Sequence, residues 1–264
     1  MVDAVEAHER LLEALDQNGA ALARVCRAYY ERRTPERDAA WLTLQAGKEF
    51  NAMLARLQRA VAQADRIERG VDRAAFGKLL HETWEEMNHY SGLAAVLQDA
   101  LGGGPLPMDV MLRYKGLEPH PDWPAHSARV LGVEELLAAA TPWVASVLRA
   151  CNEGGDAAFH WAMGELPPDD DFLRRVAAVE RAIAADELSH GPEEVAALAE
   201  AVPSDAALAD AVARIRQLGA LNVRQRNEQF LAPLTADEVS ALEAQLLAGR
   251  LPPLDLFRRG AQQC

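Results

Sequence analysis

Residues 81–90 read HETWEEMNHY, and within them Glu86-Met87-Asn88-His89 places a carboxylate three residues before an imidazole. A second copy, Glu187-Leu188-Ser189-His190, stands 101 residues later in AADELSHGP. On an α-helix, residues three apart lie on nearly one face, a turn apart. Each Glu therefore points with its His wherever the stretch is helical. One Glu-x-x-His is a weak signal, because a chain this rich in glutamate yields about one by chance. Two copies direct attention to what surrounds them.

The surroundings read as helix. Ala and Leu dominate, Glu and Arg fill the gaps, and β-branched runs are nearly absent, a mixture that favours helix over strand. Start and stop signals divide the chain. An opening helix is expected over roughly 3 to 32, with Asn18-Gly19 as the place where a break fits. Thr34-Pro35 reads as N-cap and first-turn proline of a long helix to about Arg66. Gly70-Val71 is a short link, and Asp72 caps the next helix, from about 73 to Leu101, where Gly102-Gly103-Gly104-Pro105 stops it. Residues 102–131, rich in Pro, Gly and His, read as an irregular connection. The helical pattern resumes at Gly132. Thr141-Pro142 is either a kink or a fresh start before a helix to about Glu165. Pro167 to Asp171 breaks the chain and caps a helix from about Phe172 to Val202, with a kink expected past His190 because Pro192 cannot donate to the Leu188 carbonyl. Two helices follow, roughly 205–230 and 236–249, the second opened by a capping box at Thr235 and Glu238.

Each Glu/His pair has an acid upstream. Glu49 lies 37 residues before Glu86, and Glu153 lies 34 before Glu187. Both fall mid-helix, where a hairpin partner sets them level with the pair. Glu49 is 17 residues from Arg66 and Glu86 is 13 from Arg73. At ~1.5 Å per residue those arms differ by only about one turn. The neighbours argue against a solvated face: Glu86 shares its side with Leu79, Leu93 and Ala94, and Glu187 with Val176, Ile183 and Ala184. Around Glu153, Asn152 and Asp156 compete for the same role. Gly154-Gly155 is poor for a helix, and its expected use is to leave open space beside the acid.

The set Glu49, Glu86-x-x-His89, Glu153 and Glu187-x-x-His190 resembles the ferritin-like di-iron carboxylate superfamily. Its pattern is one Glu from each of two helices and a Glu-x-x-His from each of the other two. The resemblance covers about residues 35 to 202. It implies an all-α fold: an antiparallel four-helix bundle around a dinuclear centre, with an extra N-terminal helix and C-terminal helices. The expected organisation is a single helical domain over 1–264, a di-metal core over 35–202 and a C-terminal extension over 203–264. The second copy reads Asp186-Glu187-x-x-His190, similar to the oxygenase-type members, in which the acid before the Glu holds the imidazole of the opposite helix. By that likeness Asp186 orients His89 and Glu85 orients His190. A ligating imidazole needs its other N–H held to fix tautomer and ring plane. His160, two turns past Glu153, is by default a satisfied core histidine and otherwise a further contact of the centre. The radical tyrosine of the ribonucleotide reductase small subunit would fall at Leu93, so no stable tyrosyl radical is expected.

Carboxylate and imidazole ligands suit iron or manganese, hence two Fe ions, Fe/Mn or Mn/Mn. The resemblance implies a dioxygen-activating oxidoreductase, oxygenase or oxidase, acting on a small organic substrate. Iron oxidation, storage or peroxide detoxification is the alternative, and a non-catalytic helical scaffold the third. No GxGxxG or flavin signature appears, so an external electron donor is expected. The net charge of −13 repels phosphate backbones and anionic lipid, which places nucleic acid and membrane low as partners. MVDAVEAHERLLEALDQ lacks a signal-peptide pattern, and no apolar run is of bilayer length. Cys26, Cys151 and Cys264 form no CxxC and suit a reducing compartment. The expectation is a cytoplasmic protein, with a homodimer as the default assembly. His81 reads as surface, His120 and His126 as loop or lid. Trp84, Trp143, Trp161, Phe159 and Phe172 read as core. Arg224, Arg226 and Glu228 in NVRQRNEQF read as a solvated face or a salt-bridged interface.

Overall fold

The computed structural model describes residues 3–64, 72–114 and 118–257, with the side chains of 153 and 189–193 outside that description. Helices and no strand appear among the described residues. In order they are α1 Ala4–Glu31, α2 Pro35–Ala64, α3 Arg73–Ala100, α4 Met108–Arg113, α5 Pro124–Ala138, α6 Pro142–Gly164, α7 Asp171–Glu200, α8 Asp205–Gln229 and α9 Ala236–Leu247. They divide into two compact units: Met1–Arg33 with Pro121–Cys264, and the inserted Thr34–His120. The stretch 35–202, expected as one core, is thus shared between both.

The inserted unit is the α2/α3 pair with α4 laid on α2. Thr34 Oγ1 accepts from the Arg37 N–H at 3.3 Å, and Asp72 accepts from Ala74 and Ala75. These side chains satisfy helix-start donors that have no partner within the helix. Gly102 and Gly103, at φ +67° and +79°, end α3 in the left-handed conformation that glycine enters without strain. Gly47 lets α4 approach: a Cβ there would stand 2.9 Å from Met111 Cα and O. Asn51 then donates to the Met111 and Tyr114 carbonyls at 3.0 and 3.3 Å. Trp41, Leu42, Leu93, Leu97, Met111 and Tyr114 fill the interior.

In the other unit α1 packs against α6, α7 and α8, and α5 and α9 pack on α8. Leu11, Leu15, Val144, Val147, Ala158, Leu208 and Ile215 are buried together, and Tyr29 stacks on Phe230 with centroids 4.4 Å apart. α1 is unbroken at Asn18-Gly19. Asn18 Nδ2 donates to the Ile215 carbonyl at 2.9 Å, and a Cβ at Gly219 would overlap Asn18 Oδ1. The pair that suggested a break instead serves packing: Asn18 faces α8, and a Cβ at Gly19 would stand 3.1 Å from Ala158 of α6.

Other expectations are corrected here. Residues 102–131 contain α4 and the start of α5. The α5 N-terminus has no cap of its own; the Glu228 carboxylate accepts from the Ala125 and His126 N–H groups at 2.7 and 3.0 Å. His126 is neither surface nor lid: it is fully buried, its Nδ1 3.0 Å from Gln225 Nε2. Thr141-Pro142 is a fresh helix start, with Thr141 as cap. Most of NVRQRNEQF is interior. Asn222, Gln225, Arg226 and Gln229 recur on one face of α8 and are buried, and Arg226 donates to Asp156 and Gln229, each at 2.7 Å, with its guanidinium 3.8 Å above the Phe159 ring. Arg224 stays exposed and pairs with Glu243. Gly154 and Gly155 leave no open space: a Cβ at either would meet Leu15 at 2.8 Å or Asn222 at 3.1 Å, so both serve helix packing. Trp84 is exposed rather than core. α7 continues through Gly191-Pro192 to Glu200, the extent expected of it. No helix among the described residues is long and apolar enough to cross a membrane.

Candidate metal centre

Glu49, Glu86 and His89 converge inside the α2/α3 pair, with one ligand atom of each within 4.8 Å of the other two. Glu49 comes from α2, Glu86 and His89 from successive turns of α3. Each is at most 5% exposed, although two of the three are acids, which are seldom fully buried unless paired. The face that carries Glu86 also carries Leu79, Leu93 and Ala94, all buried, as the helical period requires. Burial of that apolar stripe turns the acid inward with it.

Hydrogen bonds and charge then fix the acids. Gln45, one turn before Glu49, donates from Nε2 to Glu49 Oε1 at 2.5 Å. Arg56 crosses from α2 and pairs through Nη1 with Glu86 Oε1; its Nε lies 3.8 Å from Glu82 Oε2. His89 Nδ1 faces Glu86 Oε2 at 3.9 Å, beyond hydrogen-bond reach. Two ligands of one ion at bonds of about 2.1 Å lie roughly 3 to 4 Å apart. That imidazole–carboxylate gap leaves room for a shared cation. The donor set, two carboxylates and a nitrogen, could hold a metal ion. Two buried carboxylates also call for positive charge nearby. Arg56 supplies one unit of it, which leaves one carboxylate charge for a bound cation to offset.

The other expected ligands lie on the larger unit. Glu153 on α6 and His190 on α7 have side chains outside the described residues. Glu187 and Asp186 are half-buried on α7. Glu85 sits 3.2 Å from His81 Nε2. His160 is buried with Glu180, Nδ1 to Oε2 2.5 Å, the pairing of a satisfied core histidine.

Gln45, Arg56 and Glu82 were not anticipated. Their signal was available: 45, 49 and 56 recur on one face of α2, and 82 and 86 on one face of α3. Extending each ligand's face by two turns in both directions would have found them. Comparison with protein-family models, with curated proteins and with solved structures finds no match to this chain.

Proposed function

We propose that this chain is a non-haem metal protein of the ferritin-like di-iron kind, which uses dioxygen to oxidise a small organic molecule with electrons from an external donor. The observation that carries the proposal is the burial of Glu49, Glu86 and His89 around one point. The Glu-x-x-His spacing and the upstream acid had singled out those three. In this proposal α2, α3, α6 and α7 each carry ligands. Glu153, Glu187 and His190 form the second ligand set, and the ions are two Fe, Fe/Mn or Mn/Mn.

The chain's own residues then have defined work. Glu49 and Glu86 bind through carboxylate oxygens and His89 through a ring nitrogen. Gln45 fixes the Glu49 carboxylate in one orientation, which a ligand needs from its outer neighbours. Leu79, Leu93 and Ala94 keep water from the acids, so the ligand field is set by protein groups rather than solvent. When bound, iron supplies the one- and two-electron chemistry that dioxygen requires and no side chain here can provide.

Metal analysis of purified, reloaded protein should give about two irons or manganese per chain. Glu86→Ala should lose at least one of them. Dioxygen uptake by the ferrous protein with a chemical reductant supports the oxidoreductase. Loading far beyond the ligand count supports iron storage instead. A second reading, a structural polar cluster, is favoured by the ion pair that Arg56 already gives Glu86; a wild-type protein that retains no transition metal after dialysis establishes it.

A further inference from the structure

The Arg56 guanidinium occupies one oxygen of an expected metal ligand. It pairs with Glu86 Oε1, while its Nε is 3.8 Å from Glu82 Oε2. Glu82 and Glu86 are one turn apart on α3, so one arginine spans both. The two acids differ in setting: the Glu86 side chain is 7% exposed, whereas those of Glu82 and Arg56 are each 28% exposed. The arginine therefore reaches from the solvent edge of the hairpin to a buried carboxylate. It cannot leave by losing its proton, because guanidinium stays charged at any pH a protein survives. It can leave only by moving, and a second carboxylate stands along its length to receive it.

We infer that Arg56 is a built-in counter-cation. It neutralises Glu86 while the centre is empty and transfers to Glu82 when a divalent ion takes the ligand. The inference rests on the metal reading of Glu49, Glu86 and His89. Its logic is exchange of one cation for another at a buried acid. In the metal-free site Arg56 offsets part of the repulsion between Glu49 and Glu86. With it, an incoming ion must displace a charge-assisted contact, which weakens adventitious binding and sets a threshold for loading. Glu82 lowers that threshold by offering the displaced guanidinium a partner. Lys78 Nζ, 3.8 Å from Glu82 Oε1, competes weakly for the same acid from an exposed position.

Two substitutions of opposite predicted sign test this. Arg56→Gln removes the resident cation: Co(II) and Mn(II) affinity, measured by competition with a chelating dye at fixed ionic strength, should rise about tenfold or more. The melting temperature of its metal-free form should fall. Glu82→Gln removes the landing site on a part-exposed surface: metal affinity should fall severalfold with helicity unchanged. A structural ion pair alone would lower stability in both variants and leave affinity unmoved in both. Wild-type protein that binds Co(II) and an Arg56→Gln variant that binds it no tighter overturns the counter-cation and spares the metal centre. Absence of Co(II) binding in both overturns the two together. Should Arg56→Gln fail to fold, Glu82→Gln decides: unchanged or raised affinity there sinks the exchange.

Discussion

Single side chains in this protein act through partners far away in the chain. Glu238 closes the capping box of α9 with Thr235 and also takes the Arg32 guanidinium, 206 positions earlier. The Arg32 hydrogen bond first, and the Thr235 hydrogen bonds after it, push the Glu238 carboxyl down to about 2 from its ordinary 4.5. A lowered acid contributes stability that is whole above its unfolded value and is lost as pH falls through the folded one. The stability difference between wild type and Glu238→Gln, followed by urea unfolding, should be constant above pH ~5 and shrink steadily from there to pH ~2. The capping box was legible, since its two members are three residues apart. Arg32 was not, because nothing local announces a partner on another helix. The same division runs through the metal centre. Glu49, Glu86 and His89 declared themselves by turn spacing and by apolar neighbours. Arg56 shares the Glu49 face of α2 and was readable to that extent, but its reach to Glu86 depends on the packed register of α2 against α3.

At the scale of helices, the ends were readable and the contacts between them were not. Thr34-Pro35, Asp72, Gly102-Gly103, Asp170 and Thr235 each cap or stop a helix as their chemistry dictates. The start of α5 was missed because its cap, Glu228, belongs to α8. Glycines make the point measurable. Gly47 and Gly77 look alike in sequence, mid-helix and unmotivated. Alanine at Gly77 meets nothing within 4 Å, so Gly77→Ala should stabilise by ~0.5–1 kcal/mol through helix propensity. Alanine at Gly47 meets the α4 backbone at 2.9 Å, and Gly47→Ala should destabilise by ~1–3 kcal/mol. Thermal or denaturant unfolding of the two variants side by side reads the signs directly. Equal effects would show that α4 yields to a methyl group.

At the scale of the whole chain, an all-helical protein was plain from composition, but the division into units was not. Helix propensity is local, whereas the choice of neighbour depends on shape and burial over long separations. The opening helix, read as an addition to a four-helix core, packs among α6, α7 and α8. That placement has a consequence in time. A nascent chain presents α1 to the ribosome surface before its partners, Pro142 onward, exist. The α2/α3 hairpin, by contrast, is complete once residue 100 has been made. Contacts of short loop length form sooner than those that close a long one. Pulse-labelled hydrogen exchange during refolding should therefore find amides of α2 and α3 sheltered before those of α1. Early shelter in α1 would mean that this first helix finds provisional company of its own while it waits.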